Sequence, residues 1–326
     1  MSVVVPTSVA AALEALAAQP DAQVLAGGTD FMVELNDGRR RPEVVVALRA
    51  VEELRQVSID DDHIRIGAGV TYRDMMGPDL ASVLPALAQA ARTVGSPPIR
   101  NAGTLGGNLV TASPAGDTLP VLAALEAQVE MVSLAGRRTV PLSEFLVGPK
   151  RCDLRPGELV EAVVVERPRG GQEYLKIGVR NAMVIAVASL AMTVDTNGRR
   201  IRVAMGSVAP TPRRAALAED WLNHAVDWSG GSSGPVWRDS RPAAVDATLE
   251  QLAEMVGRDA APIDDHRSSA RYRTHAVGVL AARAARRLIP ESPPLAGRGP
   301  HRSPGRGGDR AAPGEQGGPG EQGGPR

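Results

Sequence analysis

The chain has 326 residues, with 37 Lys or Arg against 37 Asp or Glu, so its formal net charge is zero. That balance argues against a protein held mainly by nucleic-acid phosphates or an anionic membrane surface, which needs a basic excess. A single cysteine cannot build a disulfide, a Cys-rich zinc site or a protein-bound iron–sulfur cluster, and three Trp, three Tyr and two Phe leave little for base stacking. The length exceeds what one hydrophobic core organises, about 250–300 residues. The start, Met1 to Pro6, has no basic region ahead of its apolar run, and no stretch approaches the roughly 18 apolar residues of a membrane span. These features lead us to expect a soluble, cytoplasmic chain.

In chain order, Thr7 or Ser8 can cap a helix through Ala18, and Gln23 to Ala26 reads as a short buried strand. Gly27-Gly28-Thr29 forms a turn, after which Asp30 caps a helix carrying Phe31, Met32 and Leu35. Glu43 to Ala47 is a strand. Arg55 to Ile59 and His63 to Gly67 form a hairpin around Asp60-Asp61-Asp62. Asp79 to Arg92 reads as one helix despite Pro85, and residues 95–114 show no clean period. Asp117 to Ala127 is helical, and Gln128 to Leu134 with Arg137 to Val140 forms a second hairpin. Tyr174 to Val179, Val184 to Val194 and Arg200 to Val208 read as three antiparallel strands. Helices follow at about 213–226, 244–256 and 271–288, with 228–241 as an inserted loop. Residues 291–326 hold 11 Gly and 7 Pro and a doubled Gly-Glu-Gln-Gly-Gly-Pro hexamer, the composition of a disordered tail. The fold class expected is α+β. A two-lobed domain of mixed α/β subdomains (1–55 and 56–170) precedes a C-terminal domain (171–290) of three antiparallel strands with helices.

Two glycine-rich stretches are candidate sites. Ala26-Gly27-Gly28-Thr29-Asp30 lies between a strand and a helix, where backbone N–H groups can cradle a phosphate. A tight turn accounts for the same five residues. The second stretch is Thr104-Leu105-Gly106-Gly107-Asn108, followed by Ala112-Ser113-Pro114-Ala115-Gly116-Asp117. Asp117 can accept a ribose hydroxyl or cap a helix. Gly67-Ala68-Gly69 lacks the third glycine of a dinucleotide fingerprint, and no phosphate loop with Gly-Lys-Ser/Thr occurs. Asp264-Asp265-His266 has no metal-ligand spacing, and an ion-pair role is expected of it. Cys152 stands alone, and no His adjoins either glycine stretch, which argues against covalent attachment of a cofactor there.

In their order, these segments resemble the FAD-binding medium subunit of molybdenum hydroxylases, the family of xanthine dehydrogenase and aerobic carbon monoxide dehydrogenase. Ile99-Arg100-Asn101, Tyr174-Leu175-Lys176, Arg180 and the run Asp264 to Arg273 are similar as well, so the resemblance spans about residues 1–288. It implies non-covalent FAD, with Val24, Leu25, Ala26, Gly27, Gly28, Thr29, Asp30 and Phe31 wrapping its pyrophosphate together with Thr104, Leu105, Gly106, Gly107 and Asn108. By the same resemblance Asp117 holds the ribose side, Thr111 lies along the cofactor, Leu159 or Val160 packs near the adenine, and Lys176 contacts the cofactor from the domain junction. No catalytic acid or base and no metal ligand is implied. Molybdopterin and iron–sulfur clusters are expected on a large and a small partner subunit, with this chain passing electrons to NAD, a quinone or oxygen. The alternatives are a stand-alone FAD-dependent reductase or oxidase of the same fold, and a non-enzymatic assembly subunit. Pro97-Pro98, where the family often has Arg-Gln, departs from the pattern.

Overall fold

A computed structural model describes residues 1–230 and 234–291, and the tail expected from 291 lies outside them but for Glu291. The first lobe carries β1 (Ser2–Val4), α1 (Val9–Ala18), β2 (Gln23–Leu25), α2 (Phe31–Asn36) and β3 (Val44–Ala47). Its sheet has the order β1-β3-β2 with parallel pairing, so the chain must cross over between strands, and the helices supply the crossovers. The Ser8 hydroxyl caps α1 by accepting the Ala11 N–H at 3.1 Å. Val9, Ala12, Leu13 and Leu16 recur at helical spacing and bury one face of α1 in a cluster with Val46 and Leu54.

The second lobe begins with β4 (Val57–Ile59) and β5 (His63–Gly67), whose turn is closed by the Asp60 carboxylate accepting two backbone N–H groups. The helices α3 (Tyr72–Met75), α4 (Pro78–Val83), α5 (Pro85–Thr93), α6 (Pro97–Ala102), α7 (Leu105–Thr111) and α8 (Thr118–Ala124) follow. The single helix expected over 79–92 is two, because Pro85 keeps Leu84 out of the helical region, at φ −128° and ψ 61°. The stretch expected to lack regular structure contains α6 and α7. Pro97 and Pro98 open α6 at positions that need no N–H, and Thr104 caps α7 through the Gly107 N–H. Then come β6 (Gln128–Ser133), β7 (Gly136–Pro141), α9 (Leu142–Phe145), β8 (Leu146–Gly148), β9 (Arg151–Cys152) and β10 (Leu159–Glu166). An antiparallel sheet of order β4-β5-β10-β6-β7 packs Ile64, Ile66, Met131 and Val163 against Leu87, Leu105, Leu109 and Leu122 of the helices.

The third sheet has the order β11-β12-β13-β14, from β11 (Gln172–Ile177), β12 (Ala188–Asp195), β13 (Arg200–Gly206) and β14 (Arg213–Arg214). Three of its strands are expected from sequence. The two-residue β14 is too short to leave a period. Leu190, Met192 and Val203 face α10 (Ala216–Ala225), α11 (Pro242–Asp259) and α12 (Ala270–Leu288), whereas Tyr174, Ala191 and Ala204 join the core of the second lobe. Within the segment expected to be a loop, β16 (Val236–Trp237) pairs with β15 (Val226–Asp227) and buries Trp237. Asp265 pairs with Arg273 at 2.7 Å and Arg267 at 3.2 Å, whereas Asp264 and His266 form no ion pair among the described residues.

Arg138 on β7 binds Glu158 and Asp153, each at 2.7 Å, just ahead of β10. Hydrogen bonds from Arg138, helped by the Arg155 N–H, hold the Glu158 carboxyl below its ordinary value. The stabilisation is therefore present above the unfolded pKa of about 4.3 and is lost as pH falls through the depressed folded value. Glu158→Gln is expected to cost about 2 kcal/mol at pH 7 in urea unfolding, with the difference from the unaltered chain shrinking below about pH 4.

Candidate functional site

A cavity of about 690 Å³ opens where the first two lobes meet. That volume lies in the roughly 300–1,000 Å³ range of cofactor sites. Its walls include Val24, Ala26, Gly27, Gly28, Thr29, Asp30, Phe31, Thr104, Gly106, Gly107, Asn108, Thr111, Leu159 and Val160, so most of the residues anticipated from sequence converge on one space. Leu25 and Leu105 are not on its wall; Leu105 points into the second-lobe core.

The first glycine loop follows β2 directly. Gly28 has φ +76°, open to glycine at little cost. A Cβ on Gly27 would collide with the Ala102 carbonyl at the end of α6, so the loop meets the second lobe backbone to backbone. Among the described residues, the N–H groups of Gly27, Gly28, Thr29 and Asp30 donate to no protein acceptor. Gly27, Gly28 and Thr29 are half-buried, and half-buried donors call for a partner. The cap expected from Asp30 is not made. Its carboxylate instead accepts the Thr111 hydroxyl at 3.1 Å, because the residue is already in helical conformation and its side chain turns toward α7.

The second stretch works differently. It is the first turn of α7, and its donors are spent within the protein: Leu105 N–H to Val70 O, Gly106 N–H to Ala68 O, and Gly107 N–H to the Thr104 hydroxyl. Gly106 is small for packing, since a Cβ there would lie 2.7 Å from that of Ala68. At Gly107 a Cβ would meet only the Thr104 hydroxyl, at 3.0 Å, and Gly107 is on the cavity wall. Its smallness keeps the cavity open. The Asn108 amide oxygen accepts the Thr118 hydroxyl at 2.5 Å, tying α7 to α8.

Asp117 and Lys176 lie off the cavity wall, paired with each other at 2.6 Å and both buried. Asp117 makes no helix cap. It also accepts the Tyr174 hydroxyl at 2.8 Å and the Thr93 hydroxyl at 3.2 Å. Burial pushes its carboxyl above the ordinary range, opposed by Lys176, Tyr174 and Thr93. This cluster joins α8 and the end of α5 to β11 of the third sheet.

Several wall residues carry no sequence signal of their own. Arg40, Arg49, Arg55 and Lys150 place four cations on the wall against the carboxylates of Asp30 and Glu34. Arg40 is already engaged, 2.7 Å from Glu34 and over the Phe31 ring. Tyr72 is 6% exposed, and its hydroxyl has no hydrogen-bond partner among the described residues. Burial, with Asp117 and Asp30 nearby, raises its pKa and keeps it a donor.

Residues 1–168 match the family described as the FAD binding domain in molybdopterin dehydrogenase. The chain belongs to that family. It is 30% identical over 281 residues to a xanthine dehydrogenase FAD-binding subunit of Escherichia coli O157:H7, covering 84% of this chain and 90% of the relative. It is 34% identical over 209 residues to the nicotinate dehydrogenase FAD-subunit of Eubacterium barkeri, covering 61% of this chain and 71% of the relative. Among solved structures, quinoline 2-oxidoreductase from Pseudomonas putida 86 superposes with a TM-score of 0.77 at 27% identity, over 88% of this chain and 96% of that one. The cavity fits the group the family is named for. It offers unpaired N–H donors, a cationic wall and a glycine whose side chain would project into the space.

The two glycines of α7 separate packing from binding. Gly106→Ala is expected to lower stability by about 1–3 kcal/mol through overpacking against Ala68. Gly107→Val should keep its unfolding midpoint while losing FAD uptake. Calorimetry and flavin absorbance on the two variants check the contrast, and full FAD occupancy in Gly107→Val would show that α7 does not border the cofactor.

Proposed function

We propose that this chain is the flavin-bearing medium subunit of a molybdenum hydroxylase, acting as an oxidoreductase component. Bound FAD supplies the chemistry, taking electrons from iron–sulfur clusters on a small partner subunit and delivering them to an external acceptor. Oxidation of the substrate takes place on a molybdopterin-binding large subunit. The division of labour suits a sequence with one cysteine, which cannot itself carry such clusters.

The reading rests on one observation above the rest: Gly27 to Asp30, whose four consecutive N–H groups are unpaired, line a cavity walled by excess positive charge. In this proposal those groups hold the FAD pyrophosphate and Gly107 leaves room beside it. The Asp30–Thr111 hydrogen bond fixes the two loops relative to each other, while Asn108 ties α7 to α8. Leu159 and Val160 provide an apolar surface at the adenine end. Asp117 and Lys176 act from behind, bracing α8 against β11, while the Tyr72 hydroxyl remains a protonated donor at the wall. We also read residues 171–290 as a C-terminal α+β domain, supported by the hydrophobic cluster one face of its sheet forms with α10 to α12, and 1–170 as the FAD domain. No helix among the described residues is long and apolar enough to cross a membrane, and a cytoplasmic complex is part of the proposal.

The full chain, purified and incubated with FAD, is expected to take up flavin and release it on denaturation. From its native source it should come with a molybdopterin-binding chain and a cysteine-rich small chain. A colourless chain that takes up no FAD overturns the flavin reading. A flavin-loaded chain that is consistently alone overturns the complex and favours a stand-alone flavoprotein.

A further inference from the structure

Lys150 stands on the cavity wall without a partner that explains it. It occupies the two-residue turn Pro149–Lys150 between β8 and β9, and its φ is +55°. A proline followed by a residue at positive φ is the arrangement of a type II turn, in which the second position ordinarily belongs to glycine. A long cationic side chain at that position goes against its backbone preference, which glycine would not. The Lys150 N–H donates to the Ala112 carbonyl at 2.8 Å. Ala112, itself at φ +44°, ends α7 next to Thr111, whose hydroxyl binds Asp30. The turn is thereby fastened to the same structure that carries Gly107 and reaches the first glycine loop.

Among the described residues, no carboxylate lies within ion-pair distance of the Lys150 ammonium. Its charge reaches Glu34 of α2, although Arg40 already satisfies that carboxylate. Asp30, the other carboxylate on the wall, is engaged by Thr111. Of the other cations, Arg40 is paired with Glu34, Arg55 donates to the Arg49 carbonyl and lies 3.9 Å from Glu52, and the Arg49 side chain, on the first lobe, has no ion pair among the described residues. The cavity thus brings a row of unpaired N–H donors and an exposed ammonium free of any carboxylate to one space, and a bound anion answers both.

We infer that Lys150 binds the pyrophosphate of FAD, completing with the Gly27–Asp30 N–H groups an anion site shared by two segments of the chain. The inference rests on the flavin reading above and adds to it a binding residue outside both glycine stretches.

Lys150→Gly gives the decisive test, because glycine suits the turn and removes only the side chain. The full-length variant is expected to melt at or above the temperature of the unaltered apo chain, yet to bind FAD about tenfold more weakly by flavin fluorescence quenching. Raising the salt concentration should weaken FAD binding less in Lys150→Gly than in the unaltered chain. Lys150→Arg, which keeps the charge, should stay close to the unaltered affinity. If Lys150→Gly binds FAD as tightly as the unaltered chain, with the same salt dependence, the assignment of Lys150 falls and the flavin reading stands. If the unaltered chain binds no FAD, both fall together.

Discussion

The site depends on two close approaches that only glycine permits. Gly27 rests on the Ala102 carbonyl and Gly106 rests on Ala68. The first contact holds a loop of the parallel sheet against the end of α6. The second seats α7 on the strand end that follows β5. Protein interiors are dense enough that even one added carbon at either place must displace a neighbour. The two approaches set the spacing of the first glycine loop and of α7, which both line the cavity.

With the lobes fixed in this way, the glycine-rich stretches divide the work between them. The loop after β2 leaves its N–H groups unspent, whereas the start of α7 uses its own donors to bind Thr104, Ala68 and Val70. One is a donor surface and the other a spacer. Charge follows the same division. The cations come from segments that contain neither glycine pair, and Glu34 already neutralises one of them, Arg40.

The sequence makes some of this legible. The Asp60–Asp62 hairpin shows itself because alternating strands flank an acidic turn, and α1 because Ser8 precedes a clean helical period. The cavity-lining glycines are legible as well, since consecutive glycines beside Thr and Asp need a reason. The helices α6 and α7 are hidden. Their short length and their glycines, which serve close packing, dilute any period, and only the Pro97–Pro98 start and the Thr104 cap announce them. Arg49, Arg55 and Lys150 reach the cavity through tertiary structure alone. The paired burial of Asp117 and Lys176 joins residues 59 positions apart and is equally silent in the pattern.

The strand β12 is buried along both faces over nearly its whole length. One face belongs to the core beneath α5 and α8, the other to the core beneath α11 and α12. A strand shared in this way cannot be lost by one core and kept by the other. The segment that carries the glycine stretches is therefore not an autonomous piece. Cut free at residue 168, it would leave the helices behind the cavity without Tyr174, Ala191 and Ala204 and would expose apolar surface to water. A shared strand couples melting of the third sheet to collapse of the cavity, so the integrity of the cofactor site depends on residues that never touch it.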